Sequence, residues 1–197
     1  ADDVAAFCAA LGIEKPLVFG QSFGGMVAMH YAARHPDGPA KVVLSSTAAR
    51  FDLDATVEMA RKLGGDRAAE VAHGFFSDPS LEGYEEYGRV CLPLYTQGKV
   101  GADYSSRAIA KPEVNLHFFR GEMMGMDLRP GIAAITCPAL VLGGALDPVT
   151  PVICSQEIAE AIGDNARLEI FEGCGHGVHR DDPDGAERVM RAFLADG

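Results

Sequence analysis

The chain has 197 residues, 48% of them hydrophobic and 23% charged, with a formal net charge of −11 at pH 7. That balance excludes a disordered chain and supplies enough apolar side chains for one globular domain with a substantial core. The acidity sets aside nucleic acid and anionic membrane surfaces as partners, since neither attracts a negative protein, and suits a small neutral or cationic substrate.

In chain order, Val4, Phe7, Cys8 and Leu11 recur at helical spacing before Gly12, which predicts a helix at the very start. The apolar run Leu17-Val18-Phe19 then predicts a strand ending at Phe19, followed by Gly20-Gln21-Ser22-Phe23-Gly24-Gly25 and a helix from Phe23 to Arg34 that Pro36 stops. A serine between glycines at a strand-to-helix turn is chemically suggestive. A turn sharp enough to lift the hydroxyl above the sheet edge leaves no room for neighbouring side chains, and the next helix begins with N–H groups aimed at whatever the serine attacks.

Lys41 to Ser45 reads as a second, fully buried parallel strand, joined to the first by a right-handed crossover. From about Ala48 to Pro130 strand-like runs vanish. Helical pieces are predicted over Leu53 to Leu63, Arg67 to Phe76, Leu81 to Tyr95, Tyr104 to Ala110 and Glu113 to Met124, with aromatic and methionine side chains concentrated among them. Such a segment packs on itself and also suits a helical lid over an apolar pocket. Strand texture returns at Pro138 to Gly144. Thr150-Pro151 predicts a capped start for a helix over Val152 to Ile162, Arg167 to Phe171 is the last strand, and Asp182-Pro183 opens a closing helix through Leu194.

Asp147 and His176 each follow one of these strands, as Ser22 does, and parallel strands put all three at one edge of the sheet. Serine, acid and histidine in that chain order match the division of labour in nucleophilic acyl transfer. Imidazole takes the hydroxyl proton, and a carboxylate fixes the imidazole tautomer and stabilises the imidazolium. His179 is the rival base. Its spacing from His176, with Cys174, Asp181 and Asp182 nearby, also admits a metal reading, which no second ligand cluster supports.

With Gly20-Gln21-Ser22-Phe23-Gly24-Gly25, Gly144-Ala145-Leu146-Asp147-Pro148-Val149-Thr150-Pro151 and Gly173-Cys174-Gly175-His176 in order, the chain resembles the α/β-hydrolase superfamily over nearly its whole length. The resemblance implies a three-layer α/β fold with a mostly parallel sheet and helices on both faces. It assigns residues 1–47 and 131–197 to the core and 48–130 to a helical cap. It implies Ser22, His176 and Asp147 as catalytic residues, the Phe23 N–H as an oxyanion donor, Gln21, Phe118, Met123 and Val149 as substrate-pocket residues, and no cofactor. The nearest likeness is to helical-cap carboxylesterases, enol-lactonases and proline iminopeptidases. Iminopeptidases hold a free amino group with cap glutamates, for which Glu85, Glu86 and Glu122 are available, but Pro148 stands where those peptidases often carry an acid.

Family members usually have further strands before the first helix, including a loop that gives the second oxyanion donor. Their absence exposes the motif strand as an edge that a second copy of the chain could cover. The loss of a donor would cost about 10²–10³ in rate. Three explanations are open, a fragment of a longer gene product, a natural truncation and a second copy covering the edge, and the fragment is favoured because the serine, acid and histidine are all retained. The sequence therefore predicts a serine hydrolase of a small ester, lactone or related acyl substrate. Its rivals are an N-terminal-proline aminopeptidase and a non-catalytic binding domain on the same architecture. Five widely spaced cysteines, Cys8, Cys91, Cys137, Cys154 and Cys174, read as reduced thiols and suggest a cytoplasmic setting.

Overall fold

In the computed structural model, which describes residues 1–98, 109 and 111–196, the four predicted strands form. These are β1 (Leu17–Gln21), β2 (Lys41–Ser45), β3 (Ala139–Gly144) and β4 (Ala166–Phe171). All pairs are parallel and the spatial order follows the chain, β1-β2-β3-β4. β2 and β3 are buried at every residue, as continuous apolar runs require when both faces are covered. β1 runs two residues beyond the expected end at Phe19.

The helices are α1 (Asp2–Leu11), α2 (Phe23–Arg34), α3 (Leu53–Ser77), α4 (Leu81–Val90), α5 (Pro112–Arg120), α6 (Arg129–Ile132), α7 (Val152–Ile162), α8 (Val178–Asp181) and α9 (Pro183–Ala195). One sheet face packs Val42, Leu44 and Val141 against Met29 of α2 and Ile158 of α7. The other packs Val43, Leu140 and Leu142 against Val178 of α8 and Phe193 of α9. Each such side chain removed from water contributes about 1.5–3 kcal/mol, which fixes the sheet between two helical layers.

Between β2 and β3 the chain leaves the sheet and builds a separate helical cluster in which Phe75, Phe76, Tyr87, Leu116 and Met123 are buried together. Its two ends are tied to each other. Arg50 and Asp127 form an antiparallel bridge, and the Leu128 N–H donates to the Ala49 carbonyl at 2.8 Å. The Arg50 guanidinium also donates to Glu157 of α7 at 2.6 Å and to Asp52 at 3.0 Å, clamping the base of the excursion onto the sheet layer. The helices predicted separately over Leu53 to Leu63 and Arg67 to Phe76 run on as α3, broken by left-handed backbone at Gly65 (φ 75°). Leu81 to Tyr95 divides into α4 and a 3₁₀ turn that starts at Leu92, where Pro93 removes a helical donor. The piece predicted over Tyr104 to Ala110 lies, apart from Ile109, outside the described residues.

Asp182 caps α9 as its Asp-Pro pair predicts, accepting from the Gly185 N–H at 2.9 Å. The Thr150-Pro151 prediction needs correction. Pro151 itself is the cap of α7, and Thr150 makes no capping bond because its hydroxyl is held elsewhere. Among the described residues β1 has one strand neighbour, and Leu17 and Phe19 on it are 59% and 50% exposed.

Candidate active site

Ser22 sits between β1 and α2 with φ 51° and ψ −123°, a conformation that costs a non-glycine residue free energy and persists only where its surroundings hold it. Here the holders are identifiable. The Ser22 N–H donates to the Ser45 carbonyl at 3.0 Å, and its carbonyl accepts from the Thr47 hydroxyl at 2.7 Å and from the Gly25 N–H at 2.9 Å. A Cβ on Gly20 would lie 2.4 Å from the Gly24 carbonyl oxygen, and one on Gly25 would lie 2.5 Å from the Thr47 side chain. The steric explanation of the glycines therefore applies to Gly20 and Gly25. It does not extend to Gly24, whose Cβ position is open. Phe23 is the first residue of α2, so its N–H is one of the helix-start donors with no partner inside the helix.

Asp147 lies three residues past β3 and is wholly buried, a position a carboxylate tolerates only when its oxygens are satisfied. Oδ1 accepts from the Val149 and Thr150 N–H groups at 2.9 and 2.8 Å, and Oδ2 from the Thr150 hydroxyl at 2.7 Å. His176, five residues past β4, brings Nδ1 to 2.9 Å from the same Oδ2. Facing an acceptor, Nδ1 of the neutral ring carries the proton, and Nε2 is left as the acceptor nitrogen.

The loop that presents His176 is fixed from two sides. Its N–H donates to the Tyr95 carbonyl at 2.7 Å, and the Tyr95 ring meets the imidazole edge-on with centroids 5.0 Å apart. Asp181 joins the same two strands of chain. It accepts from the Gly175 N–H at 2.7 Å, from the Gln97 and Gly98 N–H groups at 3.1 Å each, and from the Thr96 hydroxyl. Burial opposes the charge on Asp181, but these bonds outweigh it and hold the carboxyl below its ordinary pKa.

Ser22 and His176 open into one cavity of about 400 Å³. Of the pocket residues expected from sequence, Phe118, Met123 and Val149 line it, and Gln21 does not. The rest of the wall is largely the aromatic set of the helical excursion, with Phe51, Phe75, Phe76, Tyr84, Tyr87 and Phe119 prominent. Sequence flagged most of that set as a group without sorting pocket from core. Met126, from the same segment, packs against the sheet core instead. Thr47, Thr150 and Asp181 were missed as supports, because the atoms they hold are identified only by the fold.

His179, the rival base, stacks edge-on against Phe19 and is not among the cavity residues. Burial, and behind it the Arg180 charge, hold its pKa below the ordinary histidine value. The cysteines are free and buried, and burial pushes the Cys174 thiol up to about 11 and that of Cys154 to about 12, so neither is a thiolate at neutral pH. Among the described residues no cluster of three or more His, Cys, Asp or Glu side chains could hold a metal ion. Among them, too, no helix is long and apolar enough to cross a membrane.

A family model described as serine aminopeptidase, S33, matches residues 1–183. The chain belongs to the α/β-hydrolase superfamily. Its similarity to individual members is moderate. It is 31% identical over 177 residues to the pimeloyl-[acyl-carrier protein] methyl ester esterase of Chromobacterium violaceum, covering 86% of this chain and 66% of that protein. Among solved structures it resembles the enol-lactonase from Burkholderia xenovorans LB400 (TM-score 0.66, 25% identity, 98% of this chain and 71% of that one). It also resembles the proline iminopeptidase of Mycobacterium smegmatis (TM-score 0.69, 25% identity, 98% and 69%). The chain thus spans about two thirds of the length of the proteins it matches.

Proposed function

We propose that this α/β-hydrolase chain carries the serine-hydrolase machinery for a small, uncharged carboxylic ester or lactone. The observation that carries the proposal is the pairing of the Asp147–His176 hydrogen bond with a strained Ser22 opening into the same cavity. In this reading His176 Nε2 takes the Ser22 proton as Oγ attacks the carbonyl carbon. The Phe23 N–H, reinforced by the positive end of α2, stabilises the oxyanion. His176 then returns the proton to the leaving alkoxide, and water, deprotonated by the same Nε2, releases the acyl group and restores Ser22. Asp147 orients the ring and compensates the imidazolium. The excursion of residues 48–130 serves as the cap, its aromatic underside excluding water from the acyl group.

The family description favours a second reading, an aminopeptidase. Such an enzyme must pair a substrate ammonium with a carboxylate at its pocket. Glu85 and Glu122 are exposed, Glu86 is bound to Arg67, and the described cavity wall contains no Asp or Glu side chain. That distribution supports the ester reading over the peptidase one.

The test is hydrolysis of a short-chain p-nitrophenyl ester beside a proline arylamide, by the wild-type chain and by Ser22→Ala. Ester turnover is expected to fall by at least about 10³-fold in the variant. Equal ester turnover in both would remove Ser22 from the mechanism, and arylamide turnover without ester turnover would select the peptidase.

A further inference from the structure

The cavity wall carries two polar pairs that the proposed chemistry leaves unused: at its exposed side Asn115 donates to the Tyr84 hydroxyl at 3.0 Å, and a second pair lies beside His176. Tyr87 and Tyr95 both line the cavity, and their hydroxyl oxygens lie 2.9 Å apart. One of the two donates to the other, so a single hydrogen bond consumes one of the pair's two protons. The accepting hydroxyl keeps a proton for which no protein acceptor is found among the described residues. Around it the wall is hydrocarbon. The Phe75 and Phe76 rings sit 5.0 and 5.2 Å from that of Tyr87, and Tyr95 lies edge-on to His176. Phenylalanines would fill the same space, and an unmatched O–H in such a wall costs free energy until an acceptor arrives. Burial raises the pKa of both phenols, so the pair remains a neutral donor throughout the physiological range.

Two further properties define what would supply the acceptor. Offset and edge-on ring contacts dominate the wall, with Phe23 and Phe118 5.0 Å apart beside Ser22 and Phe75 and Phe119 5.3 Å apart deeper in the aromatic cluster, a geometry that favours another ring. The described wall also has no Asp, Glu, Lys or Arg side chain, so a charged group on the guest would be desolvated without a partner.

We infer that the cavity selects an uncharged aryl group bearing a hydrogen-bond acceptor, such as a ketone or ether oxygen a few bonds from the ring, and that Tyr87 and Tyr95 are specificity-determining residues that donate to it. The inference rests on the hydrolase reading for its meaning as acyl-group selection, but its binding arm does not depend on turnover.

Calorimetric titration of the wild-type chain with 4-phenylbutan-2-one, butylbenzene, 4-phenylbutanoate and 4-phenylbutylammonium tests it directly. The ketone is expected to bind roughly tenfold more tightly than the hydrocarbon, and both charged compounds more weakly than the ketone. In the double variant Tyr87→Phe/Tyr95→Phe, which keeps the ring packing and removes both hydroxyl protons, the preference for ketone over hydrocarbon should collapse to near unity. Equal affinity of ketone and hydrocarbon for the wild type would overturn the donor role without recourse to any variant. A preference for either charged compound would overturn the substrate class. The kinetic arm compares p-nitrophenyl 4-phenylbutanoate with its ten-carbon aliphatic counterpart, p-nitrophenyl decanoate. A faster decanoate would contradict aryl selection even if Ser22-dependent turnover is intact, whereas ketone-selective binding with no turnover of either ester would sink the hydrolase reading alone.

Discussion

The two halves of the candidate site are held in place by opposite means. On the β3–β4 side, Asp147 and His176 are buried, and the carboxylate accepts four hydrogen bonds, from Val149, from Thr150 twice and from His176. On the β1 side, Ser22 follows a strand with one described neighbour, and its strained backbone is held by the close packing at Gly20 and Gly25 and by the Ser45 and Thr47 contacts to its peptide groups. The difference follows from chemistry. In the proposed mechanism a base and its acid must keep a tautomer and a charge, which needs satisfied polar groups, whereas a nucleophile must protrude, which needs a rigid backbone with little above it.

Damage to each half should therefore look different, and the largest effect is expected from the polar side. Asp147→Asn would put an amide opposite Nδ1 and favour the wrong tautomer, lowering kcat by about 10⁴ while the melting temperature changes little by comparison. On the steric side, Gly20→Ala drives a methyl into the Gly24 carbonyl. It should cost about 2–4 kcal/mol of stability in urea titration, with activity lost through the displaced serine. Thr150→Val keeps the shape and removes the hydroxyl that donates to Asp147. A loss of roughly 5–100-fold in kcat with KM nearly unchanged would mark it as a positioning residue, and recovery in Thr150→Ser would confirm that the hydroxyl is responsible.

Asp181 offers a pH test of the polar side. Its folded pKa is depressed, so its contribution to stability is present above the unfolded carboxylate value of about 4 and disappears as pH falls through the folded one. The stability gap between wild type and Asp181→Asn, read by urea titration, should be full at pH 6 and shrink as pH falls below the unfolded carboxylate value of about 4. A gap independent of pH would mean that the charge on Asp181 is not what ties the His176 loop to residues 96–98. The smallest effect belongs to the open edge. Phe19 and Val43 are partners in register, yet Val43 is buried and Phe19 half exposed, so Val43→Ala should cost about 1–3 kcal/mol and Phe19→Ala under about 1.

How much of this was legible beforehand depends on how locally it is written. The Ser22 turn is encoded within six residues, and Asp147 and His176 each follow an apolar strand directly, so pattern and chain order sufficed to single them out. β2 and β3 were readable because buried parallel strands are short apolar runs, whereas β1 and β4 are only partly buried and β4 carries Arg167 and Glu169. Thr150 was misread because Thr-Pro is a sound local helix-start signal. The carboxylate three residues upstream competed for its hydroxyl, and only the tertiary structure shows which acceptor won. Asp181 and Thr47 act on atoms 83–85 and 25 residues away, a distance over which no spacing rule operates. The aromatic residues of the excursion looked alike in sequence, since core and cavity wall use the same side chains and differ only in what faces them. Gln21, implied as a pocket residue by the resemblance alone, ends β1 and is not among the residues that line the cavity.

The most direct test of the central claim is intact-mass analysis after incubation with a fluorophosphonate, applied to the wild-type chain and to His176→Ala. The account predicts one covalent adduct per chain, mapped to Ser22 by peptide fragmentation, and labelling at least about 10³-fold slower without the imidazole. A folded wild-type chain that takes no adduct, or one labelled equally fast in both proteins, would contradict it.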